Sequence, residues 1–208
     1  MTDLSETCRA LPVFPLPGVV LLPGELLPLR VFEPRYRALV AHVLAADGVL
    51  GIATIAPGHE AEHLGAPPLC VEVGVGHLDH HEPLSDGRSD ILVRFESAGR
   101  IVRELEGDEP FRRVEVALRG EPTPDYPPSQ ALRVLGAQAW AAVGLLRARA
   151  VPHLEGRAWV DAMARLFLRD PTARRAYLDA DAGGVRLDLL ESALLDVLAQ
   201  GAPSRGDA

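Results

Sequence analysis

LPVFPLPGVVLLPGELLPLRVFEPRYRALV, residues 11–40, is the stretch that decides the fold. Within it, Val19–Leu22 predicts a short buried strand that ends at a Pro-Gly pair, and Leu26–Phe32 predicts a second strand. Pro28 has no backbone N–H, so it marks the second strand as an edge strand or a bulged one. The opening of the chain is therefore predicted to be two short strands.

The helix after these strands has clear start and stop signals. Pro34 suits a first turn, apolar residues then recur at helical spacing, and Asp47-Gly48 ends the run, so one amphipathic helix is expected. Period-two alternation returns beyond it, with a bulge suggested by Gly99. The further strands are predicted over Val49–Ile55, Leu69–Leu84, Ile91–Phe95 with a resumption at Ile101, and Val114–Leu118.

The pattern changes to a period of 3.6 in the last part of the chain. Pro122, Pro124, Pro127 and Pro128 favour an extended connection, so we predict a β-rich domain over 1–122, a helical bundle over 129–200 and a disordered tail over 201–208. The many short strands favour a small barrel or two packed sheets. Helices are expected near 129–150, 154–168 and 186–199, with a short turn at 172–178.

Composition excludes several chemistries. The formal net charge is -8 and all 21 cations are arginine, because the sequence contains no lysine. A P-loop, a Ser-Lys protease dyad and Schiff-base chemistry each need a lysine, so none of them can operate here. The acidic balance also disfavours a large electrostatic surface for nucleic acid.

Cysteine use and the N-terminus bear on location. Cys8 and Cys70 are too few and too far apart for a disulfide framework, which suits a reducing compartment. Asp3 and Glu6 stand where a signal peptide carries cations, and prolines interrupt the apolar stretch that follows. A cytoplasmic protein without a membrane span is expected.

One alternative is a metal-dependent hydrolase. His59-Glu60-Ala61-Glu62-His63 is a literal H-E-x-x-H, which in zinc proteases sets two histidines on one helical face. Pro57-Gly58 and Gly65 bound it closely, and no third ligand motif accompanies it, so a loop is the better interpretation. We expect neither a metal nor another cofactor at this string.

A second histidine cluster follows in GHLDHHE. Strand alternation would set His77, Asp79 and His81 on one face and His80 on the other. His77 and His81 would then stand roughly 13 Å apart, too far to share one metal. A polar strand end explains the cluster without a metal.

The opening stretch resembles that of the Lon N-terminal domain family, in which a proline-punctuated strand pair leads into an F-E-x-R-Y helix start. These positions are Phe32, Glu33, Arg35 and Tyr36 here. The similarity continues through VLGIATI, VEVGVGHL, SDGR and the strands up to Val116, and is looser in the C-terminal helices. It implies an α+β fold, with a PUA-like pseudo-barrel of about six strands and one amphipathic helix before a helical bundle.

The resemblance also implies a function. In full Lon this domain is a non-catalytic module that engages unfolded or tagged polypeptides, and at this length without lysine we expect neither the ATPase nor the protease. A polypeptide or a partner protein is thus the expected ligand. Phe32 and Tyr36 also suit a core at the strand-to-helix junction. The candidate substrate-binding residues are Leu22, Pro23, Leu26, Leu27, Phe32, Arg35 and Tyr36.

An RNA-binding protein is the remaining alternative, because a PUA-like fold can serve that purpose. It would need a basic face, and the strands offer arginines for one. These are Arg94, Arg100, Arg112, Arg113 and Arg119.

Overall fold

A computed structural model describes residues 8–62, 64–119, 126–143, 154–180 and 182–201. The chain divides into two compact units, residues 1–120 and 121–208. The expected tail lies outside the described residues except for Gly201, which ends the last helix. No helix of the described part has both the length and the apolar character needed to span a membrane.

The first unit is a six-stranded sheet with one α-helix among its described residues, which confirms the predicted α+β class. The helix and the strand after it begin where the sequence predicts. The elements are β1 (Leu11–Leu16), β2 (Leu26–Val31), α1 (Pro34–Ala45), β3 (Val49–Ile55), β4 (Leu69–Pro83), β5 (Ser89–Leu105) and β6 (Arg112–Leu118).

The sheet closes on itself. Its strand order is β2-β5-β4-β3-β1-β6, and β6 also pairs with β5, so five strands form a ring and β2 lies outside it. The 17-residue β5 makes this possible, because its first half pairs with β2 and its second half pairs with β6. Of the two architectures that the sequence allowed, the barrel is the one present.

Two apolar clusters explain why β3 is buried along its whole length. One cluster joins α1 to the sheet and includes Phe14, Tyr36 and Ile52. The other is built on the opposite faces of the same strands and includes Val13 and Ala53. A strand buried on both faces is expected to be continuously apolar, as VLGIATI is.

The first strand is not where the sequence predicted it. Val19–Leu22 forms no strand, and β1 is instead the proline-containing Leu11–Leu16, paired in parallel with β3 and antiparallel with β6. Leu21 and Leu22 are nevertheless buried, and the Thr54 hydroxyl donates to the carbonyl of Val19 at 2.5 Å. Side-chain burial therefore holds this segment without a ladder of backbone hydrogen bonds.

The bulge predicted at Gly99 is also absent. Gly99 stays in register opposite Val73 and Leu118, whereas the irregularities on β5 fall near Glu96 and Val102. A Cβ at Gly99 would overlap a methyl group of Val116. This glycine therefore permits close strand packing and does not mark a bulge.

The second unit is helical. Within its described residues the helices are α2 (Gln130–Ala142), α3 (Gly156–Phe167), α4 (Pro171–Asp179) and α5 (Gly183–Gly201). The turn expected at 172–178 is in fact α4, because Asp170 caps its start by accepting from the Ala173 amide at 2.7 Å. The described part of α2 ends at Ala142, and 144–153 lie outside the described residues.

A polar network is buried within this unit. The Tyr177 hydroxyl donates to the Asp161 carboxylate at 2.5 Å, and the Arg186 guanidinium donates to the Tyr126 hydroxyl at 3.2 Å. The guanidinium also lies over the Tyr177 ring, 4.9 Å from its centre. Burial, followed by the charge of Asp161, raises the pKa of Tyr177 far above its ordinary value.

Candidate functional site

Strand β2 carries an exposed apolar surface. Alternation points Leu27, Leu29 and Val31 inward, where the first two are half-buried and Val31 is buried, and sets the intervening residues outward. Leu26 is 53% exposed and Phe32, directly after the strand, is 61% exposed. Leu26, Pro28 and Phe32 therefore form one outward row, here named the β2 stripe, which spans about 20 Å at the usual rise of a strand.

Arg30 lies on the same outward face but carries no isolated charge. Its guanidinium donates to both carboxylate oxygens of Asp90, at 2.8 and 2.7 Å. The hydrogen bond from Arg30 lowers the pKa of the Asp90 carboxyl. The stripe is thus interrupted only by a compact, neutralised ion pair.

The predicted site residues divide into three groups. Leu26 and Phe32 are exposed and belong to the β2 stripe. Pro23, Leu27 and Arg35 are half-buried near it in the sequence. Leu22 and Tyr36 are buried, at 0% and 6% exposure, so their side chains are not available to a ligand.

Phe32 and Tyr36 differ from their expected common role. The interpretation of both as core was correct for Tyr36, which stacks on Phe14 with ring centres 4.1 Å apart, but wrong for Phe32. Sequence reasoning also missed Pro28 as a surface residue, although the period-two pattern from Leu26 contained that signal.

Arg35 connects the helix start to its surroundings. Its guanidinium donates to Glu33 at 3.0 Å and to the Gly65 carbonyl at 2.7 Å, and it lies over the Tyr36 ring at 4.5 Å. Burial raises the pKa of Tyr36. Apart from Phe32, the F-E-x-R-Y residues therefore hold β1, α1 and the loop before β4 together.

The H-E-x-x-H string does not form the helix that its chemistry needs. Glu60–Glu62 is a three-residue 3-10 turn, and the His59 ring interacts with Glu62 at 2.9 Å. His63 lies outside the described residues. In the described part of the chain, no three histidine, cysteine or acidic side chains are placed to hold a metal ion.

In the second histidine cluster, the predicted shared face holds for His77 and Asp79, whose side chains lie 3.8 Å apart, but is wrong for His81. A register shift between Leu78 and His80 leaves His77 opposite Arg94 but His81 opposite Ile91. Those two partners are three residues apart on β5, so the histidines point to opposite faces. The His77 ring also interacts with the Asp47 carbonyl at 3.0 Å.

The arginines proposed for RNA are largely neutralised by neighbours. Arg94 donates to both oxygens of Asp79, at 2.8 and 2.9 Å, and that hydrogen bond lowers the pKa of the Asp79 carboxyl. Arg119 is likewise not without an interaction partner. The other ion pairs are Arg100 with Glu72, Arg112 with Glu104 and Arg113 with Glu109.

Together, the barrel, helix α1 and the helical unit define a class: α+β domains with the architecture of Lon N-terminal domains. Within that class, the sequence model of the ATP-dependent protease La (LON) substrate-binding domain matches residues 10–148. The chain belongs to this family.

Two solved structures share the fold. A Lon N-terminal domain protein from Xanthomonas campestris is 23% identical with a TM-score of 0.62, and the match covers 91% of this chain and 97% of that one. The N-terminal domain of a Mycobacterium avium complex Lon protease is 18% identical with a TM-score of 0.60, covering 90% and 99%. No curated protein matches the sequence.

Proposed function

We propose that this chain is a non-catalytic module that binds extended, apolar segments of polypeptide on the β2 stripe. The observation that carries the proposal is the exposure of Phe32 and Leu26 on one outward row of β2, in a member of a family of substrate-binding domains. Large apolar side chains exposed in a row favour association, because covering them removes apolar surface from water.

An unfolded polypeptide matches the shape of this surface. An extended chain repeats its side chains every two residues, with the same rise as β2, so alternate apolar residues can meet Leu26, Pro28 and Phe32 in turn. A folded protein has most such side chains in its core. The stripe therefore favours unfolded segments over folded surfaces.

The test uses a fluorescent, reduced and alkylated protein that cannot fold, with binding followed by anisotropy. We expect Leu26→Ala and Phe32→Ala each to weaken binding by about tenfold, as truncation of a well-packed contact does. Leu44→Ala is the matched control, because Leu44 is 47% exposed at the far end of α1. Equal affinity in all four proteins would contradict the proposed site.

The same mixtures test the absence of catalysis. After long incubation with and without zinc, electrophoresis should show the unfolded protein intact. Cleavage that disappears in His59→Ala would instead support the metal-dependent hydrolase.

A further inference from the structure

We infer that the bound polypeptide adds to the sheet as an antiparallel strand along the edge of β2 that faces away from β5. This rests on the proposed function, and it specifies how the segment is held. Among the described residues β2 pairs with β5 alone, so its second edge has no strand beside it.

The hydrogen bonds at the start of β2 show which backbone groups face that edge. The Phe95 amide donates to the Glu25 carbonyl at 2.8 Å, and the register then continues from Leu26 opposite Arg94. Because backbone groups alternate sides along a strand, the groups of Leu27 and Leu29 face β5 and those of Leu26, Pro28 and Arg30 face away.

The same three residues point their side chains outward. Backbone direction and side-chain direction alternate together in a strand, so the residues that offer hydrogen bonds at the edge include two residues of the β2 stripe. In an antiparallel pair, the opposing residues direct their backbone groups to β2 and their side chains to the same face. One added strand can thus form hydrogen bonds with the outward-facing backbone groups of β2 and at the same time cover the side chains of Leu26 and Phe32.

Pro28 makes the edge of β2 a poorer partner for a second copy of this chain than for a different polypeptide. It offers a carbonyl to the edge but no N–H. If two β2 strands paired around a twofold axis, each strand would lack the N–H at Pro28. The pair would then lose two hydrogen bonds. A foreign strand loses only one, and each such bond contributes about 0.5–1.5 kcal/mol. The edge therefore favours a foreign strand.

The inferred ligand is an extended segment with apolar residues at alternate positions. Its apolar side chains lie beside Leu26, Pro28 and Phe32, while the position beside Arg30 accepts a polar residue, because that guanidinium is already paired with Asp90. A proline among the residues that face β2 would remove a donor and weaken binding.

Backbone N-methylation tests this directly. The probe is the capped peptide Thr-Leu-Thr-Leu-Thr-Leu-Thr, made unmodified, methylated at every leucine nitrogen, or methylated at every threonine nitrogen. In the inferred arrangement the leucine N–H groups face β2 and the threonine N–H groups face solvent. We expect leucine methylation to weaken binding to the full chain at least tenfold and threonine methylation to weaken it less than twofold.

The outcomes separate the two proposals. Equal affinities for the three peptides would overturn strand addition while leaving the proposed function standing, because side-chain contacts alone would account for binding. The reverse pattern would overturn the antiparallel arrangement. If neither the unmodified peptide nor the unfolded protein binds, the proposed function itself fails.

Discussion

Phe32 and Tyr36 stand four residues apart in one motif and have opposite environments. Tyr36 is stacked on Phe14 beneath Arg35, whereas Phe32 projects from the end of β2. Helical burial of Tyr36 follows from the spacing of the apolar residues in α1. The exposure of Phe32 depends on which face of β2 turns towards the core. That orientation is fixed by the pairing of β2 with β5, some 60 residues later in the chain.

This contrast predicts different stabilities for two alanine variants. Tyr36→Ala should lower the free energy of unfolding by about 3–5 kcal/mol, since it removes a buried aromatic ring. Phe32→Ala should change it by no more than about 0.5 kcal/mol, as expected at an exposed site. Urea unfolding measures both, and similar losses in the two variants would contradict the assigned environments.

Gly74 illustrates a residue that the sequence could not explain. Its position on β4 faces the ring of Phe95, and a Cβ there would overlap that ring. Gly74→Ala should therefore destabilise the chain by about 1–3 kcal/mol, the usual result of overpacking a core.

The control for Gly74→Ala is Gly184→Ala, because a Cβ at Gly184 would meet no atom within 4 Å beyond its chain neighbours and the adjacent backbone of its own helix. That variant should leave the free energy of unfolding unchanged or raise it. The double variant Gly74→Ala, Phe95→Leu should lose less free energy of unfolding than the sum of the losses in the two single variants, because the smaller side chain makes room for the added methyl group. Additive losses in the double variant would rule out the ring contact as the cause.

At the scale of elements, local signals predicted α1, β3 and the hairpin between β4 and β5 well. Each has its stop signal in its own sequence, such as the Asp86-Gly87 turn, in which Gly87 has a φ of 82°. β1 was missed because Pro12 and Pro15 argue locally against a strand. Its pairing with β3 and β6 overrides that local preference.

The edge of β2 leads to a prediction about self-association. Pro28→Val supplies the missing N–H and a good strand-forming side chain, so two copies can pair through β2 with a full set of hydrogen bonds. Sedimentation velocity should show stronger concentration-dependent association for Pro28→Val than for the unchanged chain. The control is Pro28→Lys, which restores the same N–H but adds a charge that opposes pairing. We expect this variant to associate no more strongly than the unchanged chain.

For the whole molecule, charge pairing decides the RNA alternative. Arg94, Arg112 and Arg113 each have a carboxylate partner within 3.1 Å, so a phosphate would have to displace an existing ion pair. With a net charge of -8 as well, no gel shift of a structured RNA is expected at low ionic strength. A shift that weakens steeply with added salt would restore this alternative.

The buried network of the second unit predicts loss of stability at high pH. Tyr177 has a raised pKa in the folded chain, so above its ordinary pKa of about 10 the unfolded state releases a proton that the folded state keeps. Stability from this group is complete below pH 10 and falls by about 1.4 kcal/mol for each pH unit above it.

Circular dichroism along an alkaline titration should detect this loss. In Tyr177→Phe, the free energy of unfolding should fall less steeply above pH 10, by the slope that corresponds to one proton. This holds even if that variant is less stable at neutral pH. An unchanged slope would show that Tyr177 ionises freely in the folded chain.

Closure of the barrel also constrains how the protein is made. β1 pairs with β6 through contacts such as Leu11 with Val114. During synthesis the barrel can therefore close only after Leu118 has left the ribosome, and until then β1 lacks one of its neighbours. Pairing between such distant segments is slow and leaves unpaired strand edges open to aggregation. Nascent chains stalled before β6 should consequently depend on chaperones more than the completed chain does.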